Sequence, residues 1–391
     1  MNKSVAIAVC AWPPLGGGIG NNAYYQLKEL AKNSVAARAF TPAYFGIDQD
    51  ASLPVSYLPA VLPIGKAGFM KGLKRELEQF DIIHLYWPFF GADLQLLRFK
   101  LRHPEKKLVL HYQMDPVGRG IRAWVFWLYV KLFLGSIIKS ADRVLVLSLD
   151  HAQHSYLSPY LKQYPEKFLE WPNGVDTDLF KPLGNKSELR ALNKFGVQDA
   201  IALFVGGLDQ QHFFKGVPVL LEAFTKVIKT VPQAKLIIVG DGNERLKFES
   251  QALDLGLKDN VRFLGWIKNE ALPVWYNLAD VFVLPSTKST ESFGIVAAEA
   301  QACGLPAIVA SWPGVRQTVK LNETGLWVEP NNVNDLALKL TKLLSDESLR
   351  QRFGRAGRER TGRLYGWTNL ILRLLDIYNS LYVPVSPPEK K

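Results

Sequence analysis

The chain has 391 residues, 48% hydrophobic and 21% charged, a composition that excludes a disordered or fibrous protein and suits two globular domains of ordinary size. Its formal net charge is +11, with 23 Lys/Arg against 16 Asp/Glu in residues 1–190 and 24 against 20 beyond. That excess fits polyphosphate ligands and an anionic membrane surface. No nucleic acid partner is expected, because no basic recognition helix, zinc spacing or RNA-binding aromatic motif accompanies it.

Cys10 and Cys303 are too few and too far apart for a disulfide framework, which indicates a reducing, cytoplasmic compartment. The opening stretch Met1–Trp12 lacks a long apolar core and a small-residue cleavage site, so it reads as a first strand and not a signal peptide. Strand and helix signals then alternate to the end, which predicts an α/β fold with parallel sheets. After the strand Ser4–Ala11, the glycine-rich loop Pro13–Asn22 opens a helix running to Ala31. A nicotinamide-dinucleotide fingerprint fails here: Asn21 stands where Gly or Ala is needed, and Val35–Pro42 supplies no acidic residue.

Residues Gly65–Gln79 place Lys66, Lys71, Lys74 and Arg75 around Phe69, Met70 and Leu73, the pattern of a basic amphipathic helix, solvated or resting on membrane. Ile82–Trp87 is a buried strand whose His84 suits the core. Leu108–Asp115 is an apolar strand ending in His111, where open α/β sheets place ligand chemistry, with Asp115 in the following loop. Ile121–Lys139 is the most hydrophobic segment, but Arg122, Lys131 and Lys139 interrupt it and argue against a bilayer span. It reads as a core helix with an apolar rim; an interfacial helix anchored by Trp124 and Trp127 is the alternative. His151 and His154 share a tempting spacing but have no third ligand beside them, so no metal site is expected.

Ala141–Ser148 is a further strand, and the turn-rich connector Glu170–Pro182 places a domain boundary after Pro182. The second half restarts the pattern with the strand Ile201–Leu208 and a helix opened by Lys215-Gly216. Later, the strand Val281–Leu284 leads to Ser292 as N-cap, a helix over Phe293–Ala302, and a stop at Gly304 and Pro306. Glu291 then stands at the helix mouth and Glu299 two turns inside, roughly 12 Å apart along the axis. Between them the free N–H groups of Phe293, Gly294 and Ile295 make an anion site. An anion flanked by two hydroxyl-binding carboxylates describes a nucleotide sugar. Gly366–Tyr382 is a last amphipathic helix, and 383–391 a flexible Pro-rich, basic tail.

The Glu291–Glu299 run resembles the Glu-x7-Glu signature of the retaining GT-B glycosyltransferases, the glycosyl transferases group 1. Gly16–Gly18, His111, Asn173–Pro182 and Lys215–Gly216 resemble that family's other landmarks, in order along nearly the whole chain. The resemblance implies two Rossmann-like domains facing a central cleft. Residues 1–182 would take the acceptor, with 366–382 crossing back onto them, and 183–365 would hold the nucleotide sugar. It implies Glu291 and His111 beside the donor sugar and Glu299 on the ribose hydroxyls. Lys215 and the amides of Gly17, Gly18, Phe293, Gly294 and Ile295 would meet the diphosphate, and Asp115 the acceptor.

One departure stands out: the family's usual Val-Gly-Arg-Leu run has Gly207 in place of Arg, and Arg316 is a candidate for the lost charge. The implied reaction moves a hexosyl unit from a GDP- or UDP-sugar to a hydroxyl of a glycan or lipid-linked acceptor, in cell-envelope polysaccharide or glycolipid synthesis, with the protein peripheral on the inner membrane face. The nucleotide sugar is a substrate, and neither cofactor nor metal is expected. Two alternatives stay open. A GT-B nucleotide-sugar epimerase would need acid/base carboxylates and no acceptor site. A non-catalytic membrane scaffold with a degenerate donor site is motivated by Gly207.

Overall fold

The structure is a computed structural model that describes all residues except 1–2, 14–16, 44–51, 65–66, 117, 119 and 383–391. Gly16, Lys66 and the tail 383–391 therefore lie outside the described residues. The chain forms two compact units, Met1–Gly174 with Trp367–Lys391, and Val175–Gly366.

The first unit contains β1 (Val5–Ala8), β2 (Ala37–Pro42), β3 (Val55–Leu58), β4 (Ala60–Ile64), β5 (Ala67–Met70), β6 (Ile82–Trp87), β7 (Lys107–Tyr112), β8 (Arg143–Val146) and β9 (Phe168–Glu170). Seven of them make a parallel sheet in the order β3-β2-β1-β6-β7-β8-β9. Apolar side chains on both faces of β1 and β6 are fully buried, as a parallel sheet covered by helices requires. The order reverses direction between β1 and β6, so the carboxyl ends of those strands form the topological switch point.

The second unit repeats the plan with β10 (Ala200–Val205), β11 (Ala234–Val239), β12 (Val261–Gly265), β13 (Val281–Leu284), β14 (Ala307–Ala310) and β15 (Gly325–Val328). These are parallel in the order β12-β11-β10-β13-β14-β15, with the switch point between β10 and β13.

Three expectations need correction. The division falls at Gly174/Val175, earlier than Pro182, because the connector is built into the second unit. Val175 donates its N–H to the Tyr365 carbonyl at 2.8 Å, and Arg358 donates to the carbonyls of Phe180 (2.8 Å) and Thr177 (3.3 Å).

Where a basic amphipathic helix is expected over Gly65–Gln79, the described residues instead form β5, paired antiparallel with β4, and a short helix, Leu73–Leu77. Tertiary contacts override the helical periodicity: the Gln95 side chain bonds both the N–H and C=O of Met70, at 2.8 and 3.0 Å.

The segment expected as a core helix is one continuous helical stretch, Ile121–Ser140, with a π-helical turn at Val130–Leu134. Its first part, Ile121–Tyr129, has no buried residue; Ile121 and Trp124 are 80% and 59% exposed. By length and apolarity it passes for a membrane-crossing helix, yet Val130, Leu134, Ile137 and Ile138 are built into the core of the first unit. Tyr129 ties it down further, donating its hydroxyl to Asp93 at 2.5 Å.

The last helix, Trp367–Ser380, belongs to the first unit. Trp367 stacks on Tyr25 with ring centroids 5.9 Å apart, and Trp171 donates its indole N–H to the Leu370 carbonyl at 3.1 Å. The Trp367 indole also covers Gly174 so closely that a Cβ there would sit 2.3 Å from a ring carbon. Gly174→Ala should therefore overpack this joint and destabilise the protein by about 1–3 kcal/mol. A urea midpoint lowered at unchanged slope would bear this out; an unchanged midpoint would mean the indole moves aside freely.

Candidate functional site

In the second unit, two loops meet at the carboxyl ends of β10 and β13. After β10 comes Gly206-Gly207, then a 3-10 segment, Gln210–Lys215, capped at its start by Asp209. The segment ends on Gly216, whose φ of +79° is left-handed and whose missing Cβ would lie 2.1 Å from the Pro285 carbonyl oxygen. Only glycine lets the backbone turn here and press against the end of β13. The Thr287 N–H then donates to the Phe214 carbonyl at 2.7 Å, fastening the two loops together.

The fastening brings Lys215 and Glu291, 76 positions apart, to a 2.6 Å ion pair. Both side chains are largely buried, at 14% and 11% exposure. Phe214 adds its ring 5.7 Å from the ammonium. Lys215 retains further donor capacity, since an ammonium carries three N–H groups, so it can hold a carboxylate and a phosphate together.

The helix after Glu291 begins at Ile295, not Phe293, and its N-cap is Gly294 with φ +77°; Ser292 makes no cap bond. The N–H groups of Phe293, Gly294 and Ile295 donate to no acceptor among the described residues, as an anion site at a helix mouth requires. Glu299 is in the same helix, buried, and its Oε2 accepts from the Tyr276 hydroxyl at 3.0 Å. Burial raises the Glu299 carboxyl to about 7, against a smaller opposing effect of the Tyr276 bond. The two glutamates are thus chemically distinct: one ion-paired, the other held near neutrality.

In the first unit, Gly17 opens the helix Gly17–Lys32 at φ +59°, and a Cβ on Gly17 or Gly18 would meet nothing within 4 Å among the described residues. His111 departs from the expected placement. Its ring is fully buried, with Trp171 4.9 Å and Tyr86 4.8 Å away between centroids, and it pairs with His84 at 3.4 Å. Burial pushes it well below the usual histidine range, with His84 adding to the effect, so it is a neutral core group.

The residue that follows β7 is Gln113, whose amide nitrogen lies 2.8 Å from His111 Nε2. Gln113 has no mark in the sequence, because an amide after an apolar strand carries no spacing signal. Asp115 accepts from the Tyr112 hydroxyl and from the Tyr156 N–H at 3.4 Å. Burial raises its carboxyl, opposed by the Tyr112 bond and by His151. Arg316 turns its guanidinium to Trp327, 5.8 Å from the ring, and donates to the Ser311 carbonyl. In the Asp176-Thr177-Asp178 triplet, Asp176 caps a turn through the N–H groups of Asp178 and Leu179.

Two Rossmann-like halves, with a cation–carboxylate pair and a helix mouth at a switch point, define a GT-B glycosyltransferase. The description "Glycosyl transferases group 1" matches residues 185–360, and "Glycosyltransferase Family 4" matches 16–179. A GDP-mannose-dependent α-(1-6)-phosphatidylinositol monomannoside mannosyltransferase of Mycobacterium tuberculosis is 33% identical, over 93% of this chain and 95% of its own. An uncharacterized glycosyltransferase of Methanocaldococcus jannaschii is 36% identical over 47% of this chain, which spans about half (46%) of that relative. Among solved structures, the sucrose-phosphate synthase of Thermosynechococcus elongatus superposes with a TM-score of 0.79 at 25% identity, covering 97% of this chain and 99% of its own. The chain belongs to the glycosyl transferases group 1.

Glu299 gives a test by pH. Its carboxyl is raised in the fold above its ordinary value, so ionising it costs stability, progressively as pH rises from about 4.5 through about 7. Glu299→Gln stays neutral and keeps a partner for Tyr276. Its melting temperature should exceed that of the wild type at about pH 8 and converge with it at about pH 4. A difference independent of pH would show that Glu299 is not the titrating group.

Proposed function

We propose that the protein is a retaining hexosyltransferase that uses a GDP- or UDP-sugar and delivers the sugar to a hydroxyl of a lipid-linked or glycan acceptor. The observation that carries this reading is the Lys215–Glu291 pair beside the helix mouth at the β10/β13 switch point. Lys215 and the amides of Phe293, Gly294 and Ile295 hold the diphosphate, Glu291 faces the sugar, and Glu299 binds the ribose. The acceptor oxygen attacks the anomeric carbon on the face from which the diphosphate departs. The carbon–oxygen bond to phosphate breaks, and a departing phosphate oxygen takes the acceptor's proton. The protein's part is electrostatic: fixed donors in a partly buried site stabilise charge that grows on the leaving group. Cation and amides do this work without a metal ion.

Thermal shift against GDP, UDP and their sugars identifies the donor, because a ligand at 100 times Kd adds about 2.7 kcal/mol. With that donor, Glu299→Ala should mainly raise KM and Glu291→Ala should mainly lower kcat, in assays with and without EDTA. Unaltered kinetics in both variants would remove the helix-mouth site, and loss of wild-type transfer in EDTA would remove the metal-free mechanism. Retention is read from the anomeric configuration of the product.

The same reading places the acceptor at a membrane. The exposed Trp124 and Trp127, with Ile121, Val125 and Leu132 beside them and Arg122 and Lys131 on the same helix, have the composition of an interfacial anchor on anionic lipid. The relative from Mycobacterium tuberculosis, named for a phosphatidylinositol-based acceptor, supports this choice. Wild-type protein should sediment with anionic vesicles, and Trp124→Ser/Trp127→Ser should lose most of that binding. Equal sedimentation of the two proteins would exclude this helix as the anchor.

A further inference from the structure

The Gly206-Gly207 turn carries a second charge-bearing side chain that no spacing rule singled out. A Cβ built on Gly206 would meet the Lys215 stem at 3.3 Å, and one built on Gly207 would meet the His212 ring, 2.7 Å from Nδ1 and 3.0 Å from Cγ. Lys215 and His212 thus lie against consecutive glycines of one turn, at the carboxyl end of β10. His212 Nδ1 is 2.8 Å from Asp209 Oδ2, and Asp209 is itself fixed by the N–H groups of Gln211 and His212 at 2.8 and 3.2 Å. The imidazole is therefore oriented by a carboxylate, half exposed, and its Nε2 has no partner among the described residues.

We propose that His212 is a second diphosphate-binding cation of the donor site, and that glycine at position 207 leaves the space its ring occupies. Because Lys215 is shared with Glu291, a departing diphosphate needs more positive charge than Lys215 alone supplies. With Nδ1–H donating to Asp209, Nε2 donates to a phosphate oxygen only when the ring carries both protons. Asp209 is the carboxylate in contact with this ring, and Lys215, at the end of the same segment, is paired with Glu291 at 2.6 Å.

The space shared by position 207 and the His212 ring invites a swap. Gly207 lies outside the left-handed region, and the three atoms nearest a Cβ there all belong to the His212 ring, so a side chain at 207 first requires the imidazole to go.

The inference rests on the donor site proposed above, and titration calorimetry of the full chain with GDP and with UDP separates the two. His212→Ala should weaken binding of the preferred nucleotide about tenfold or more. Gly207→Arg alone should not improve binding, because its side chain collides with the ring. The double variant Gly207→Arg/His212→Ala should regain affinity. If His212→Ala binds like the wild type while Lys215→Ala does not, His212 has no such role and the donor site stands. If the wild type binds neither nucleotide, both fall.

Discussion

Everything proposed for the second unit depends on the 2.6 Å pair between Lys215 and Glu291. With both side chains mostly shielded from water, removing either partner strands the other, which in buried pairs costs about 3–5 kcal/mol. Such a pair persists only where the backbone on both sides is held in place. The parallel sheet puts β10 beside β13, Gly216 lets the first loop press on Pro285, and the Thr287–Phe214 bond closes the gap. The carboxylate holds the lysine in position before any ligand arrives, so little reorganisation is needed when a phosphate takes its remaining donors.

The first unit is organised by a different constraint, a polar network inside an apolar core. His84 contacts the Tyr378 hydroxyl at 2.7 Å, Gln26 donates to the same hydroxyl at 2.9 Å, and His111 joins through His84. Burial holds His84 at about 3, so the network stays neutral. Buried polar groups without partners are costly, and one of these partners comes from the last helix. That explains why a chain that has already built its second unit returns to the first. Trp367 and Tyr378 complete a core that β1, β6 and β7 leave open.

The pair and the network divide the chemistry between them. Charge sits at the mouth of the second unit, where it can meet an anionic donor. His111, which its strand-end position offered for catalysis, is withdrawn into the interior beside His84 and made neutral. The exposed apolar start of the Ile121–Ser140 helix belongs to neither; it is anchored at its far end by core packing and at Tyr129 by Asp93.

By itself the sequence determined the alternation of elements, the restart after the connector, and the helix mouth between Glu291 and Glu299. Those signals are local: hydrophobic runs, glycine and proline stops, and fixed spacing along one helix. It did not determine that Ala67–Met70 would form a strand paired with β4, that residues from Val175 would join the second unit, or that Ile121–Tyr129 would lie bare. Each of those outcomes was decided by partners distant in the chain: Gln95, Tyr365 and Arg358 in the first two, and the absence of a covering element among the described residues in the third. The fate of the candidate residues was decided in the same way. A strand-end histidine and a loop histidine look alike in sequence, and only the tertiary structure, by burying His111 against Trp171 and setting His212 beside Gly207 in reach of solvent, gave one a neutral interior and the other an oriented, accessible ring.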